Sequence, residues 1–159
     1  MKTMRRSFAM LLALVMSLSL MTSALALEPP VRGVRYLDGL RVETVNGPYI
    51  APRAAHGTYH YNAREELTSY ECSFPFDCAD GIGSDLDVHV DGAIADVPLN
   101  IYVYYNGRVV DQYLLMPGEE ETTYISSTDG SYLTGSGELV VEPANGGDSV
   151  YWVTIYQHT

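Results

Sequence analysis

Three tyrosines lie where a short hairpin would gather them on one surface. Asn106-Gly107 separates two apolar-rich runs, and this dipeptide favours a two-residue turn between antiparallel strands. Continuing the pairing away from that turn, residue by residue, puts Tyr102 opposite Asp111. The predicted outward face of the hairpin then carries Asn100, Tyr102, Tyr104, Asp111 and Tyr113.

Phenol rings beside an amide and a carboxylate suit a sugar-binding surface. The ring faces can stack on pyranose rings, while the polar tips form hydrogen bonds with hydroxyl groups. The alternative is that cross-strand aromatic pairs stabilise an exposed sheet face and bind nothing. Both interpretations put the apolar side chains of the hairpin in the core, namely Leu99, Ile101, Val103, Val110 and Leu114.

Cys72 and Cys78 are the two cysteines of the chain. In an exported protein, such a pair predicts a disulfide. An extended strand would hold the two Cα atoms about 20 Å apart, whereas a bridge needs them within about 7 Å. The disulfide therefore requires a loop, and Phe74, Pro75 and Phe76 would either form an apolar tip that docks on a partner or turn into the core.

Four aspartates lie in or just after this segment, namely Asp77, Asp80, Asp85 and Asp87. Two glycines lie among them. Carboxylates around glycine turns can bind calcium. The spacing does not match the 12-residue calcium loop, and a solvated acidic turn is the alternative. Calcium is thus a candidate ligand, and no other cofactor is expected.

Other reactive residue types lack a catalytic arrangement. His56 and His60 would lie about 13 Å apart on a strand, too far for one metal ion. His89 lies among alternating aspartates and is expected to be solvated. Gly135-Ser136-Gly137 lacks the Gly-x-Ser-x-Gly turn of a nucleophile elbow. These patterns favour a protein that is not an enzyme.

Short strands are expected to position these groups. Residues 85–91 alternate between polar and apolar types, which predicts a strand that buries Leu86, Val88 and Val90. No stretch has a helical period, and turn dipeptides recur between the apolar runs. The pattern predicts an all-β fold, a small antiparallel β-sandwich of immunoglobulin-like or jelly-roll-like arrangement. The other predicted strands cover residues 58–62, 67–74, 99–105, 108–116, 122–126, 132–133, 138–142 and 150–156.

The N-terminal segment has the three parts of an export signal in order. Basic residues precede the apolar run 8–20, and Ala24-Leu25-Ala26 is a small-x-small cleavage site. This predicts a signal peptide over residues 1–26, typical of bacterial export, that is cleaved to give a secreted or extracytoplasmic product. Retention as a membrane anchor is the alternative. No second apolar run of membrane-spanning length follows.

Two regions are predicted after the signal. Residues 27–55 are rich in Pro, Gly and Arg and form either an extended arm or a small hairpin around Asp38-Gly39. Residues 56–159 form the sandwich domain. All 20 acidic residues but only six of the nine basic ones follow residue 26, so the exported part carries a net charge of −14 with histidines neutral. This field disfavours nucleic acid as a partner.

The sequence favours a secreted, non-enzymatic binding or surface-interaction module for a carbohydrate or protein ligand. A small secreted hydrolase, or an inhibitor of one, is an alternative. A third possibility is a structural subunit that self-assembles through exposed strand edges, such as residues 150–156.

Overall fold

The structure, a computed structural model, describes residues 33–50, 57–68, 70–78 and 83–158. The predicted signal peptide lies outside these residues. The described residues form ten β-strands in two antiparallel sheets and contain no helix. These ranges therefore contain no helix that is long and apolar enough to span a bilayer.

The strands are β1 (Val34–Leu37), β2 (Leu40–Asn46), β3 (Gly57–Thr68), β4 (Cys72–Cys78), β5 (Asp85–Asp91), β6 (Leu99–Tyr105), β7 (Arg108–Leu115), β8 (Glu120–Ser127), β9 (Gly135–Pro143) and β10 (Asp148–His158). The six-stranded sheet has the strand order β1-β2-β8-β5-β10-β3, and the four-stranded sheet has the order β4-β9-β6-β7. All neighbours in both sheets pair antiparallel.

The two sheets pack face to face around one core. At one side, Phe74 of β4 contacts Tyr61 of β3 and Tyr151 of β10, with ring centroids 4.8 and 6.3 Å apart. At the other side, Asp111 of β7 accepts a hydrogen bond from Thr44 of β2. The predicted all-β, sandwich-like architecture is therefore confirmed at this level.

Local sequence signals place several strands correctly. Residues 85–91 form β5, and Leu86, Val88 and Val90 are fully buried. Asp38-Gly39 and Asn106-Gly107 are two-residue turns, each with positive φ at both positions, as a type I′ hairpin turn requires. The first of these turns forms the small hairpin β1–β2, and β2 pairs with β8 along its length as part of the six-stranded sheet.

Two predicted strands are wrong. The run 67–74 is divided between the end of β3 and the start of β4. Residues 132–133 are not in a strand. Leu133 is still a core residue, because its side chain is buried and its amide donates to the carbonyl of Gly83, 2.8 Å away.

The predicted disulfide and its loop are also wrong. Residues 72–78 form the extended strand β4, which pairs with β9 along all seven residues, and both cysteines are free thiols. Six extended steps hold the Cα atoms about 20 Å apart. Phe74 and Phe76 point into the core, 6% and 5% exposed, so the core alternative for the two rings is confirmed. Pro75 points outward at the sheet edge, where a missing N–H is tolerated.

The last strand of the sequence is not an edge strand. Residues 150–156 were a candidate assembly edge, but they belong to β10, which lies between β5 and β3. Hydrogen bonds on both sides occupy its backbone groups. The edges of the two sheets are β1, β3, β4 and β7.

Candidate functional site

The tyrosine hairpin has a different register from the one its turn predicts. Tyr104 pairs with Val109 as expected, but the next pair is Val103 with Asp111. Val110 is the extra residue of a β-bulge on β7. Because side chains alternate along a strand, one inserted residue moves every later β7 side chain to the opposite face.

The bulge divides the five predicted ligand-binding residues between two faces. Asp111 and Tyr113 point into the core and are 2% and 1% exposed, so their predicted place on the surface is wrong. Asn100, Tyr102 and Tyr104 do share the outer face of the four-stranded sheet and are half-buried. The predicted binding surface therefore keeps its β6 side and loses its β7 side.

Side chains from the neighbouring strands complete that outer face, and each of the three residues has one polar and one apolar cross-strand partner, the apolar ones being Leu114, Val140 and Val109. Tyr102 is opposite Gln112 of β7, and Tyr104 is opposite Glu138 of β9. Asn100 is likewise opposite Glu142 of β9. We call this set the tyrosine platform, and it comprises Asn100, Tyr102, Tyr104, Gln112, Glu138 and Glu142.

An open cleft of about 540 Å³ adjoins one end of the tyrosine platform. Tyr104 and Glu138 line it together with Pro75 and Asp77 of β4. A hydrogen bond from the hydroxyl of Ser73 fixes the Glu138 carboxylate. The cleft thus offers a ring face, two carboxylates and an apolar proline wall, which suits a ligand with both apolar faces and hydroxyl groups.

Asp111 lies instead in a polar network between the two sheets. Its carboxylate forms an ion pair with Arg35 of β1 and accepts hydrogen bonds from Thr44 and Thr123, each at 2.7 Å. The backbone N–H of Gln112 also donates to it, at 2.9 Å. This network joins β7 to three strands of the opposite sheet, so Asp111 links the two sheets through its carboxylate.

The candidate calcium residues are not brought together among the described residues. Asp77 and Asp85 are exposed on β4 and β5, which belong to different sheets. Asp87 is buried, and Asp80 lies outside the described residues. Within the described ranges, no three His, Cys, Asp or Glu side chains form a group that could hold a metal ion.

Sequence reasoning missed a second surface, the outer face of the six-stranded sheet. Strand pairing places Tyr59, Tyr156, Asp87, Tyr124 and Glu43 side by side across five neighbouring strands. The rings of Tyr59 and Tyr156 are in contact, with centroids 4.6 Å apart. A carboxylate therefore lies between tyrosines in this row.

Asp87 is buried although it points away from the core, with 3% of its surface exposed. Oδ2 of Asp87 is 2.8 Å from Nε2 of His158 and accepts a hydrogen bond from the hydroxyl of Tyr49 at 3.0 Å. Burial raises the pKa of Asp87, while His158 and Tyr49 act in the opposite direction.

His89 is the next outward residue of β5, and the prediction that it is solvated is wrong. It is 4% exposed because the ring of Tyr49 stacks on it, with centroids 5.1 Å apart and planes 21° apart. Its Nδ1 is 3.0 Å from the hydroxyl of Thr122. Burial lowers the pKa of His89, so the neutral imidazole is favoured in this position.

A cleft of about 460 Å³ lies beside the Asp87–His158 pair. Arg41 and Glu43, which form an ion pair, line it with Asp85 and Tyr124.

The alternation of residues 85–91 correctly gives the outward direction of Asp87 and His89. Tyr49, which contacts both residues, lies far away in sequence, and no local signal indicates that contact.

Comparison with known proteins adds no family assignment, since no protein-family model matches the chain and no curated protein matches it in sequence.

Proposed function

We propose that the protein is a secreted or extracytoplasmic, non-enzymatic binding module that recognises carbohydrate through the tyrosine platform. In this proposal residues 1–26 are a cleaved signal peptide, and the two sheets form an immunoglobulin-like or jelly-roll-like sandwich. The observation that carries the proposal is the placement of Tyr102 and Tyr104, two residues apart on one outward strand face, each with one polar and one apolar cross-strand neighbour.

The chemistry of the platform supports a sugar ligand. Alternate residues of a strand are about 6.6 Å apart, so the two rings offer adjacent surfaces on which apolar sugar faces can stack. Glu138 and Glu142 can accept hydrogen bonds from hydroxyl groups, while Asn100 and Gln112 can both donate and accept them. Burial, with Glu142 as the next contributor, raises the pKa of Tyr102, so its phenol remains a hydrogen-bond donor at neutral pH.

A binding screen tests the proposal directly. The chain from Leu27 onward would be applied to a broad panel of neutral, acidic and amino polysaccharides beside the variant Tyr102→Ala/Tyr104→Ala. Tyr132→Ala is the matched control, because it removes a tyrosine that is 60% exposed and lies in a loop. All three proteins would be shown to be folded by circular dichroism.

We expect wild type and Tyr132→Ala to bind one polysaccharide class equally. The double variant should bind about fivefold to 160-fold more weakly, since stacking contributes about 0.5 to 1.5 kcal/mol for each of the two rings. Equal binding by all three proteins would remove the platform from the proposal. No binding by folded wild type would reject carbohydrate for the polysaccharides tested, and release of soluble oligosaccharides would identify a hydrolase.

A further inference from the structure

A short segment after β2 closes over the outer face of the six-stranded sheet. Gly47 leaves the strand with a positive φ of 130°, and its amide donates to the carbonyl of Glu120 at 2.8 Å. Tyr49 then lies on the sheet, and the adjacent Ile50 is 81% exposed. We call residues 47–50 the Tyr49 latch.

One side chain connects this latch to two titratable groups. The ring of Tyr49 stacks on His89, and its hydroxyl donates to Asp87. Asp87 and His89 are almost fully buried, although both belong to the outward face of β5. A side chain on an outer sheet face is normally hydrated, and here the Tyr49 ring covers His89, while Tyr49 and His158 both lie against Asp87.

We propose that the Tyr49 latch is an acid-operated cover: it is closed when His89 is neutral and opens when His89 takes up a proton. Opening uncovers Asp87, His89 and the tyrosines beside them, next to the cleft lined by Arg41 and Glu43. This inference concerns a different sheet from the tyrosine platform and does not depend on the proposed function.

The geometry explains why a proton on His89 opposes closure. An imidazolium needs two hydrogen-bond acceptors or water, and the closed latch excludes water from the ring face. Nδ1 is within hydrogen-bond distance of Thr122, and Nε2 is 3.8 Å from the Glu120 carboxylate, which is beyond hydrogen-bond range but close enough for an ion pair with the imidazolium, so it is the burial of the ring under Tyr49 that opposes the proton. Burial accordingly lowers the pKa of His89 in the closed state.

Charged groups around His89 reduce this effect without reversing it. Asp91 on the same strand raises the pKa of His89, as does a hydrogen bond with the backbone of Glu121 on β8. Glu120, also on β8, is the nearest carboxylate across the strand, and Thr154 is the uncharged partner on β10. His158 on β10 is directed at Asp87.

Protonation of His89 and opening of the latch are coupled, and the pKa difference between the closed and open states sets the direction of that coupling. An exposed histidine has a pKa of about 6.5, and His89 under the closed latch has a lower one, so the open state binds the proton first. Lowering the pH through about 6.5 therefore favours opening, by about tenfold in population for each pKa unit between the two states. Asp87 acts oppositely, because its pKa is raised in the closed state and its own protonation favours closure.

Histidine titration by NMR on the full chain tests the proposal. The His89 signal is assigned by its loss in His89→Gln, which removes the titration and retains a side chain able to bond Thr122. We expect His89 to titrate below pH 6.5 in wild type and to move toward the ordinary value in Tyr49→Ala. Tyr36→Ala is the control, since Tyr36 is 70% exposed on β1 of the same sheet, and it should leave the His89 titration unchanged.

Amide hydrogen exchange of Gly47, Tyr49 and Ile50, the latch residues that carry a backbone N–H, supplies an independent measurement. After correction for intrinsic rates, exchange should be faster at about pH 5.5 than at about pH 7.5 in wild type, by up to about tenfold. The acceleration should be absent in His89→Gln, where the remaining titration of Asp87 would favour closure at low pH. An identical His89 titration in wild type and Tyr49→Ala, or the same acceleration in His89→Gln, would overturn the proposal, and the second test holds even where Tyr49→Ala fails to fold.

Discussion

Replacing Arg35 by methionine should destabilise the protein far more than removing a surface ion pair. The substitution retains much of the side-chain length but removes the cation that pairs with Asp111. Asp111 is 3% exposed as a side chain, while Arg35 is 26% exposed. The aspartate would then be a buried carboxylate that retains hydrogen bonds from two threonines and one backbone amide.

The magnitude follows from these exposures. Removing one partner of a buried ion pair typically costs about 3 to 5 kcal/mol, because the other charge is left uncompensated. About a quarter of the Arg35 side-chain surface is exposed to solvent, so we expect the loss of folding free energy to lie at the lower end of this range, about 3 kcal/mol. This corresponds to a shift of about 1.5 M in the urea midpoint at an m-value of about 2 kcal/mol/M, or about 10 °C in Tm.

Urea denaturation followed by fluorescence measures this directly, with Arg108→Met as the matched control. Arg108 also pairs with an aspartate, Asp38, but the two side chains are 73% and 72% exposed. A surface pair of this kind contributes about 0 to 1 kcal/mol. Adding Asp111→Asn to Arg35→Met should restore about 1 kcal/mol or more, since the uncompensated charge is then absent. If Arg35→Met costs no more than Arg108→Met, the buried-charge reasoning is refuted.

Three further predictions follow from described contacts. Iodoacetamide should modify Cys72 well before Cys78 in the native protein, because Cys78 is 2% exposed and burial raises its pKa to about 11. If the unreduced protein has a mass lower by two hydrogens, the two cysteines form a disulfide and the prediction of free thiols is wrong. Because burial lowers the folded pKa of His89, stability should fall as the pH drops below about 6.5, and urea titrations at several pH values should show that His89→Gln flattens this dependence. Gly137→Ala should cost about 1 to 3 kcal/mol, since a Cβ there would overlap the Phe76 ring, whereas the adjacent Ser136→Ala should have little effect in the same thermal unfolding assay.

Strand positions were readable from the sequence where alternation and turn residues agree. Residues 85–91 and the turn Asn106-Gly107 show both signals, and β5, β6 and most of β7 were predicted within one residue. The segment 72–78 also alternates, with Cys72, Phe74, Phe76 and Cys78 at every second position. Its strand was missed because the predicted disulfide requires a loop between the two cysteines.

The site was harder to predict because it depends on single-residue and long-range effects. The bulge at Val110 follows Val109, so two consecutive apolar residues leave the register ambiguous in the sequence. Placing Asp111 in the core became possible because Arg35, distant in sequence, supplies a compensating charge. Likewise, local alternation indicates the direction of His89 but not that Tyr49 covers it.

The position of β10 has a consequence for how the chain can fold as it emerges. A chain that leaves a ribosome or a translocation pore N-terminus first presents β3 and β5 well before residues 148–158. Both strands pair with β10 in the folded protein, so until β10 emerges each has an edge without its native partner. Unpaired edges of this kind attract strands from other chains. Closure of the six-stranded sheet is therefore a late, long-range step, of the kind that makes sandwich folds slow to form, and a polypeptide cut off before residue 148 would lack the strand that joins β3 to the rest of its sheet.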